Sequence, residues 1–187
     1  DCHGEGTIIK NKCKHCGGDG IVKGDEVVEI NIPAGVEDGM CVSVRGKGNA
    51  GKHNGINGDI QVLIQEEKSD IFERNGQDLY YNLVLDFTTA TLGGEVEVPT
   101  IDGKTTLKIE PGTQPGKQMR LRGKGLPAVQ GYGYGKGDII VNITVFVPKT
   151  LTKEEKALVL KFKECENFKA DNATKKSLFE SFKNLFK

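Results

Sequence analysis

The sequence predicts a mainly β protein: two tandem small β-sandwich or barrel-like domains, the first truncated, followed by a helical C-terminal segment. Three observations carry that reading. A glycine-punctuated stretch occurs twice, alternate residues along much of the chain are apolar, and the periodicity changes after Pro148. The later copy runs from Ile109-Glu110-Pro111-Gly112 to Arg120-Leu121-Arg122-Gly123-Lys124-Gly125, and the earlier one from Ile32-Pro33-Ala34-Gly35 to Val44-Arg45-Gly46-Lys47-Gly48. Gly35 and Gly112 stand 112 − 35 = 77 positions apart, and that offset carries Gly39 onto Gly116, Arg45 onto Arg122, Gly46 onto Gly123 and Gly48 onto Gly125. Gly58-Asp59-Ile60 answers to Gly137-Asp138-Ile139 at 137 − 58 = 79, a small insertion in the loop between. A repeat held in register means one structural unit used twice.

A chain of 187 residues accommodates two small domains, each with a modest core. Lys plus Arg and Asp plus Glu number 26 each, so the overall charge points to neither a nucleic acid nor a membrane partner. No apolar run is long enough to span a bilayer and no signal-peptide pattern stands at Asp1, so a soluble, cytoplasmic chain is expected. Three of the five cysteines fall before Gly17, a crowding that suits metal ligands in a reducing compartment better than a disulfide framework.

In chain order, Cys13-Lys14-His15-Cys16-Gly17-Gly18-Asp19-Gly20 has the form C-x-x-C-x-G-x-G, and Cys2-His3-Gly4-Glu5-Gly6 has the form of its second half. Two thiolates so spaced can take adjacent corners of a tetrahedron, while the glycines let backbone N–H groups turn toward the sulfurs. A structural zinc site needs four ligands, and here Cys2, Cys13 and Cys16 stand with only His3 or His15 as extras. The expectation is half-sites with zinc absent or partial. A redox pair of Cys13 and Cys16 is the alternative, disfavoured because no thioredoxin-like βαβ pattern follows.

Val28, Ile30 and Ile32 alternate with polar residues, which predicts a strand ended by Pro33-Ala34-Gly35. Cys41, in the strand Met40 to Val44, is expected as a small buried hydrophobe. Gly46 to Gly58, with Lys47, Lys52 and His53, reads as a surface loop; it lacks the helix and the Walker pattern of a phosphate cradle. Ile60, Val62 and Ile64 give the next strand one apolar face, and Glu66 to Gly76 is a charged connector.

The second copy opens with Leu79, Tyr81, Leu83, Leu85 and Phe87 at alternate positions, a strand signature. After Gly93-Gly94, Asp102-Gly103 predicts a two-residue turn between strands around Val96–Ile101 and Thr105–Ile109. Gly131-Tyr132-Gly133-Tyr134-Gly135 is an aromatic loop whose tyrosines are expected to pack over the sheet, and the last strand spans Ile139 to Val147. Thr152-Lys153-Glu154-Glu155 is a capping box for a helix carrying Leu158, Phe162 and Cys165. A second helix after Asn172 places Leu178, Phe179, Phe182, Leu185 and Phe186 on one face, a stripe suited to a subunit contact. Its lysines Lys175, Lys176, Lys183 and Lys187 keep a membrane-surface helix as a lesser option.

Taken together, the C-x-x-C-x-G-x-G knuckle, the duplicated P-x-G…R-G-K-G units, Leu92-Gly93-Gly94, Gly137-Asp138 and the helical end resemble the C-terminal part of type I DnaJ proteins, the Hsp40 co-chaperones. The resemblance covers essentially the whole chain. It implies that Cys2 belongs to the third knuckle of a four-knuckle zinc module and Cys13 with Cys16 to the fourth, which serve different zinc ions. None of His3, His15 and His53 is followed by Pro-Asp, so the J-domain motif that stimulates the Hsp70 ATPase has no counterpart.

The implied organisation is a partial Cys-rich module over 1–22, the remainder of a first β-domain over 23–70, a second β-domain over 71–148 and a helical dimerisation segment over 149–187. The implied function is non-enzymatic: a homodimer that binds unfolded or extended polypeptides and delivers them to Hsp70. An extended client can pair with a strand edge while an apolar side chain enters a pocket. The strand phases nominate Val28, Ile30, Ile60 and Val62 as the floor of that pocket, beside the plainer reading that they are core. A thiol-disulfide oxidoreductase and a nucleic-acid-binding zinc module are the alternatives from other classes.

Overall fold

The duplication in the sequence is a duplication of hydrogen bonding. In the computed structural model, which describes residues 9–52, 55–129, 132–170 and 172–184, the N–H of Gly39 donates to the Ile64 carbonyl at 3.0 Å and that of Gly116 to the Ile143 carbonyl at 2.7 Å. The N–H of Gly48 reaches the Gly58 carbonyl at 2.7 Å, and that of Gly125 reaches the Gly137 carbonyl at 2.8 Å. Each first bond maps onto its second by the offsets read from the sequence. The two glycines of Arg-Gly-Lys-Gly divide the work: Gly46 and Gly123 sit at φ 67° and 66°, in the left-handed region. At Gly125 the demand is space, since an added Cβ would lie 2.6 Å from the carbonyl oxygen of Gln77. Turn chemistry alone, expected for these glycines, therefore accounts for only one of each pair.

The chain divides into two compact units, Asp1–Val145 and Phe146–Lys187. In the first unit, β1 (Cys41–Val44) and β2 (Ile60–Leu63) form an antiparallel pair. The later copy is larger. Strands β3 (Phe72–Asn75), β4 (Asp78–Asp86), β7 (Gln118–Leu121) and β8 (Ile139–Phe146) make one sheet in the order β3-β4-β8-β7. The hairpin of β5 (Gly94–Thr100) and β6 (Gly103–Ile109) packs over it. Leu79, Leu83 and Leu85 of β4 and Ile139, Val141 and Ile143 of β8 meet Val98, Leu107 and Ile109 of the hairpin in one buried cluster. Their period-2 spacing puts one face of each strand inside, and each such side chain contributes about 1.5–3 kcal/mol by burial.

Several expectations are corrected. Glu26 to Ile32 forms no strand; its counterpart in the later copy, β6, is held by seven residues of β5, and among the described residues nothing plays that part for the earlier copy. A strand without a neighbour leaves its backbone groups to water, and Val27 is 99 % exposed. Cys41 is exposed, not buried, because its phase on β1 is opposite to that of Val42 and Val44. Tyr132 and Tyr134 stand 89 % and 101 % exposed rather than lying on the sheet. The hairpin turn is centred on Ile101-Asp102, with Gly103 paired to Thr100 and so at the last position of the turn, where glycine is favoured. The end of the charged connector is strand β3, secured by Phe72 against Tyr81 at 5.9 Å.

The strand expected to run through Phe87 gives way at Asp86 to α1 (Phe87–Leu92). Asp86 caps it, its carboxylate accepting from the Thr89 N–H at 2.7 Å, the Thr89 hydroxyl at 2.8 Å and the Thr88 hydroxyl. These donors hold the Asp86 carboxyl down at about 2, the Thr88 hydroxyl contributing most. The second unit holds α2 (Lys153–Glu164), a 3-10 turn at Glu166–Phe168, and α3 (Asn172–Asn184). The capping box forms: Thr152 N–H donates to Glu155 Oε2 at 2.7 Å and Glu155 N–H to Thr152 Oγ1 at 3.3 Å. Phe162 stacks on Phe168 at 4.9 Å.

Candidate functional site

Four of the apolar residues on the β1–β2 pair share a face. Val42 stands opposite Val62 and Val44 opposite Ile60, and all four are half-buried while Cys41, Ser43, Gln61 and Leu63 point outward. Alternation in β-branched residues produces this directly, since successive side chains leave a strand on opposite faces. Of the predicted set, Ile60 and Val62 are therefore brought together. Val28 and Ile30 are half-buried too, in a segment with no strand pairing to join them to this sheet. Val42 and Val44 were not nominated, although Met40-Cys41-Val42-Ser43-Val44 carries the same alternation one strand earlier.

The same sheet offers backbone. Each of β1 and β2 has one strand neighbour among the described residues, so an outer edge of N–H and C=O groups remains on either side. An apolar face bounded by open strand edges is suited to an extended polypeptide. No described residue in the first copy reaches the burial of the second copy's core, whose members are all numbered 79 or higher.

At the knuckle, the Gly17 N–H bonds to the Cys13 carbonyl at 2.9 Å and the Asp19 N–H to the Cys16 carbonyl at 3.0 Å, closing the tight turn that the glycines permit. The Cys13 thiol is pushed below its ordinary range, first by the Cys16 N–H, then by the His15 N–H and the Cys16 thiol. Cys13 is exposed and Cys16 half-buried. Two sulfurs make half of a tetrahedral zinc set, and among the described residues no three His, Cys, Asp or Glu side chains gather where one ion would fit. Cys2 and His3 lie outside the described residues, as does His53. Among the described residues, Cys13 and Cys16 thus do not by themselves make up the four ligands.

On α3, Phe179 is 56 % exposed with the Lys183 ammonium 4.7 Å from its ring centre. The side chains of Leu178 and Phe182, and all of Leu185 and Phe186, lie outside the described residues. No helix among the described residues is long and apolar enough to cross a membrane.

Comparison with known proteins agrees with this architecture. The profile described as the DnaJ C terminal domain matches residues 3–148. The chaperone protein DnaJ of Bacteroides fragilis is 58 % identical over 94 % of this chain and 44 % of its own length. The DnaJ of Bacteroides thetaiotaomicron is likewise 58 % identical over 94 % of the chain, and that of Fusobacterium nucleatum subsp. polymorphum is 44 % identical over 100 % of it. The chain spans less than half the length of these relatives, 44 % and 47 % of the two extremes. Two β-units repeated in sequence and in hydrogen bonding, a cysteine knuckle before them and helices after them place the chain in the DnaJ C terminal domain family of chaperones.

Proposed function

We propose that this chain is the client-binding part of a co-chaperone, which holds unfolded or extended polypeptides for delivery to Hsp70 in the cytoplasm. The observation that supports it is the half-buried face of Val42, Val44, Ile60 and Val62 between two open strand edges. Main-chain pairing at an edge is indifferent to client sequence, and the apolar face selects for exposed hydrophobic side chains, which unfolded chains display. Val28 and Ile30 complete the floor when the segment Glu26 to Ile32 gains a partner. The chain performs no covalent chemistry. It works as a homodimer through the C-terminal apolar residues Leu178, Phe179, Phe182, Leu185 and Phe186, with no nucleic acid or membrane partner. Zinc, where bound, would be held by Cys13 and Cys16 together with thiolates of a paired knuckle, and would serve to fix that fold.

The test is anisotropy of a labelled extended peptide rich in Leu and Phe, titrated with the chain and with its Val62→Asp variant. Binding that weakens at least about tenfold, roughly 1.4 kcal/mol, supports the reading. Equal binding by both proteins rules out this face.

A further inference from the structure

Between the two β-copies lies a seam, and Arg74 of β3 reaches across it. Its side chain is only 16 % exposed. Nε donates to the Gly76 carbonyl at 2.9 Å, which holds the guanidinium on its own hairpin. The other nitrogens reach the first copy: Nη1 donates to the Val36 carbonyl at 2.8 Å and to Glu66 Oε2 at 3.0 Å, and Nη2 to the Gly35 carbonyl at 2.8 Å. Glu37 Oε1 stands 3.7 Å from Nη2. Glu66 is itself tied back, its N–H donating to Asp38 Oδ1 at 2.9 Å.

Gly35 makes a second contact across the seam. An added Cβ there would lie 2.3 Å from the Pro127 carbonyl oxygen of the later copy. Its repeat counterpart Gly112 has a similar φ, 74° against 84°, yet a Cβ there would meet nothing within 4 Å. One repeat position thus serves a turn in both copies and a packed contact in only the first. No strand pairing among the described residues joins the β1–β2 pair to the other sheets.

We infer that Arg74 is a positioning residue, a clamp that fixes the orientation of the first copy's apolar face relative to the second copy. The guanidinium suits this because its rigid fork presents five N–H donors in one plane, enough to hold two adjacent carbonyls, a carboxylate and its own hairpin at once. A lysine carries the same charge on three donors and a flexible stem, so it retains the ion pair but not the fork. The clamp stands on this geometry alone; its bearing on clients rests on the function proposed above.

Residual dipolar couplings of backbone amides, measured for β1–β2 and for β3–β8 in the whole chain, test it. One alignment tensor should fit both copies in the unaltered protein. In Arg74→Lys and in Gly35→Ala the couplings of β1–β2 should shrink by roughly half or more while those of β3–β8 keep their size. Gly112→Ala, which bears the same backbone strain away from the seam, should keep a single tensor. Unchanged couplings in both seam variants, or two tensors in the unaltered protein, would overturn the clamp. Should Arg74→Lys lose the dispersed spectrum of the second copy, Gly35→Ala decides, because Gly35 touches none of that copy's core. Peptide anisotropy on the same samples separates the questions: failure of client binding with a single tensor preserved counts against the proposed function and leaves the clamp standing.

Discussion

The carboxylate of Asp59 accepts the N–H of Gly46 at 2.7 Å, and the carboxylate of Asp138 accepts that of Gly123 at 2.8 Å. One carboxylate per copy closes the Arg-Gly-Lys-Gly turn from the start of the following strand. The later pair is embedded further: the Asp138 side chain is 22 % exposed, and its own N–H donates to Asp78 Oδ1 at 2.7 Å. Asp138→Ala is expected to cost about 2 kcal/mol in urea unfolding, the scale of a hydrogen bond to a charged group. Asp59→Ala should cost measurably less, since its turn is open to water. Equal losses would show that the two turns carry the same load.

The core sets a second contrast. Ile143 is fully buried among Val98, Leu107 and Ile109, so Ile143→Ala should destabilise the later copy by about 3 kcal/mol through lost burial and a cavity. Val62→Ala removes a half-buried methyl pair from a two-stranded sheet and should move the main unfolding transition by less than about 1 kcal/mol. A larger shift for Val62 than for Ile143 would place the cooperative core in the wrong copy.

Asp86 gives a pH dependence with a definite sign. Its carboxyl titrates at about 2 in the folded chain against an ordinary 3.8. A depressed acid stabilises the fold above its unfolded value, and that contribution disappears as pH falls from near 3.8 toward 2. Asp86→Asn keeps a side-chain oxygen at the cap and does not titrate there. The stability gap between the two proteins should therefore close on acidification over that range, as followed by circular dichroism; a gap that persists below it would mean the charge is not what Asp86 contributes.

For the knuckle, the expected outcome is less than one zinc per chain by metal analysis, because Cys2, Cys13 and Cys16 do not supply four thiolates from paired knuckles. An X-ray absorption edge showing one tetrahedral zinc in every chain would require two further ligands to reach Cys13 and Cys16.

The C-terminal apolar stripe is testable by mass. Light scattering should give twice the chain mass, reduced to one in Phe182→Asp combined with Phe186→Asp. A mass unmoved by that pair would exclude the face.

Much of this was legible in the sequence because it depends on local rules. Period-2 alternation chose the buried face of β4, Thr152 with Glu155 marked the start of α2, and the 77-residue offset of the glycine turns (112 − 35) gave the repeat without reference to any fold. The same alternation marks the half-buried face of Ile60 and Val62, and Val42 and Val44 carry it one strand earlier. What the sequence does not encode locally is partnership. Glu26 to Ile32 has the pattern of a strand and is not one, since a strand exists only when another backbone supplies its hydrogen bonds. The tyrosines of the aromatic loop have the composition of a packed pair and stand in water for want of a surface above them. Arg74 looked like one charge in a polar connector; the fold brings the Gly35 and Val36 carbonyls to it across 74 − 35 = 39 and 74 − 36 = 38 positions of chain. Pattern settles which side of a strand is apolar, while the choice of neighbour is a long-range contact whose entropy cost only the assembled tertiary structure repays.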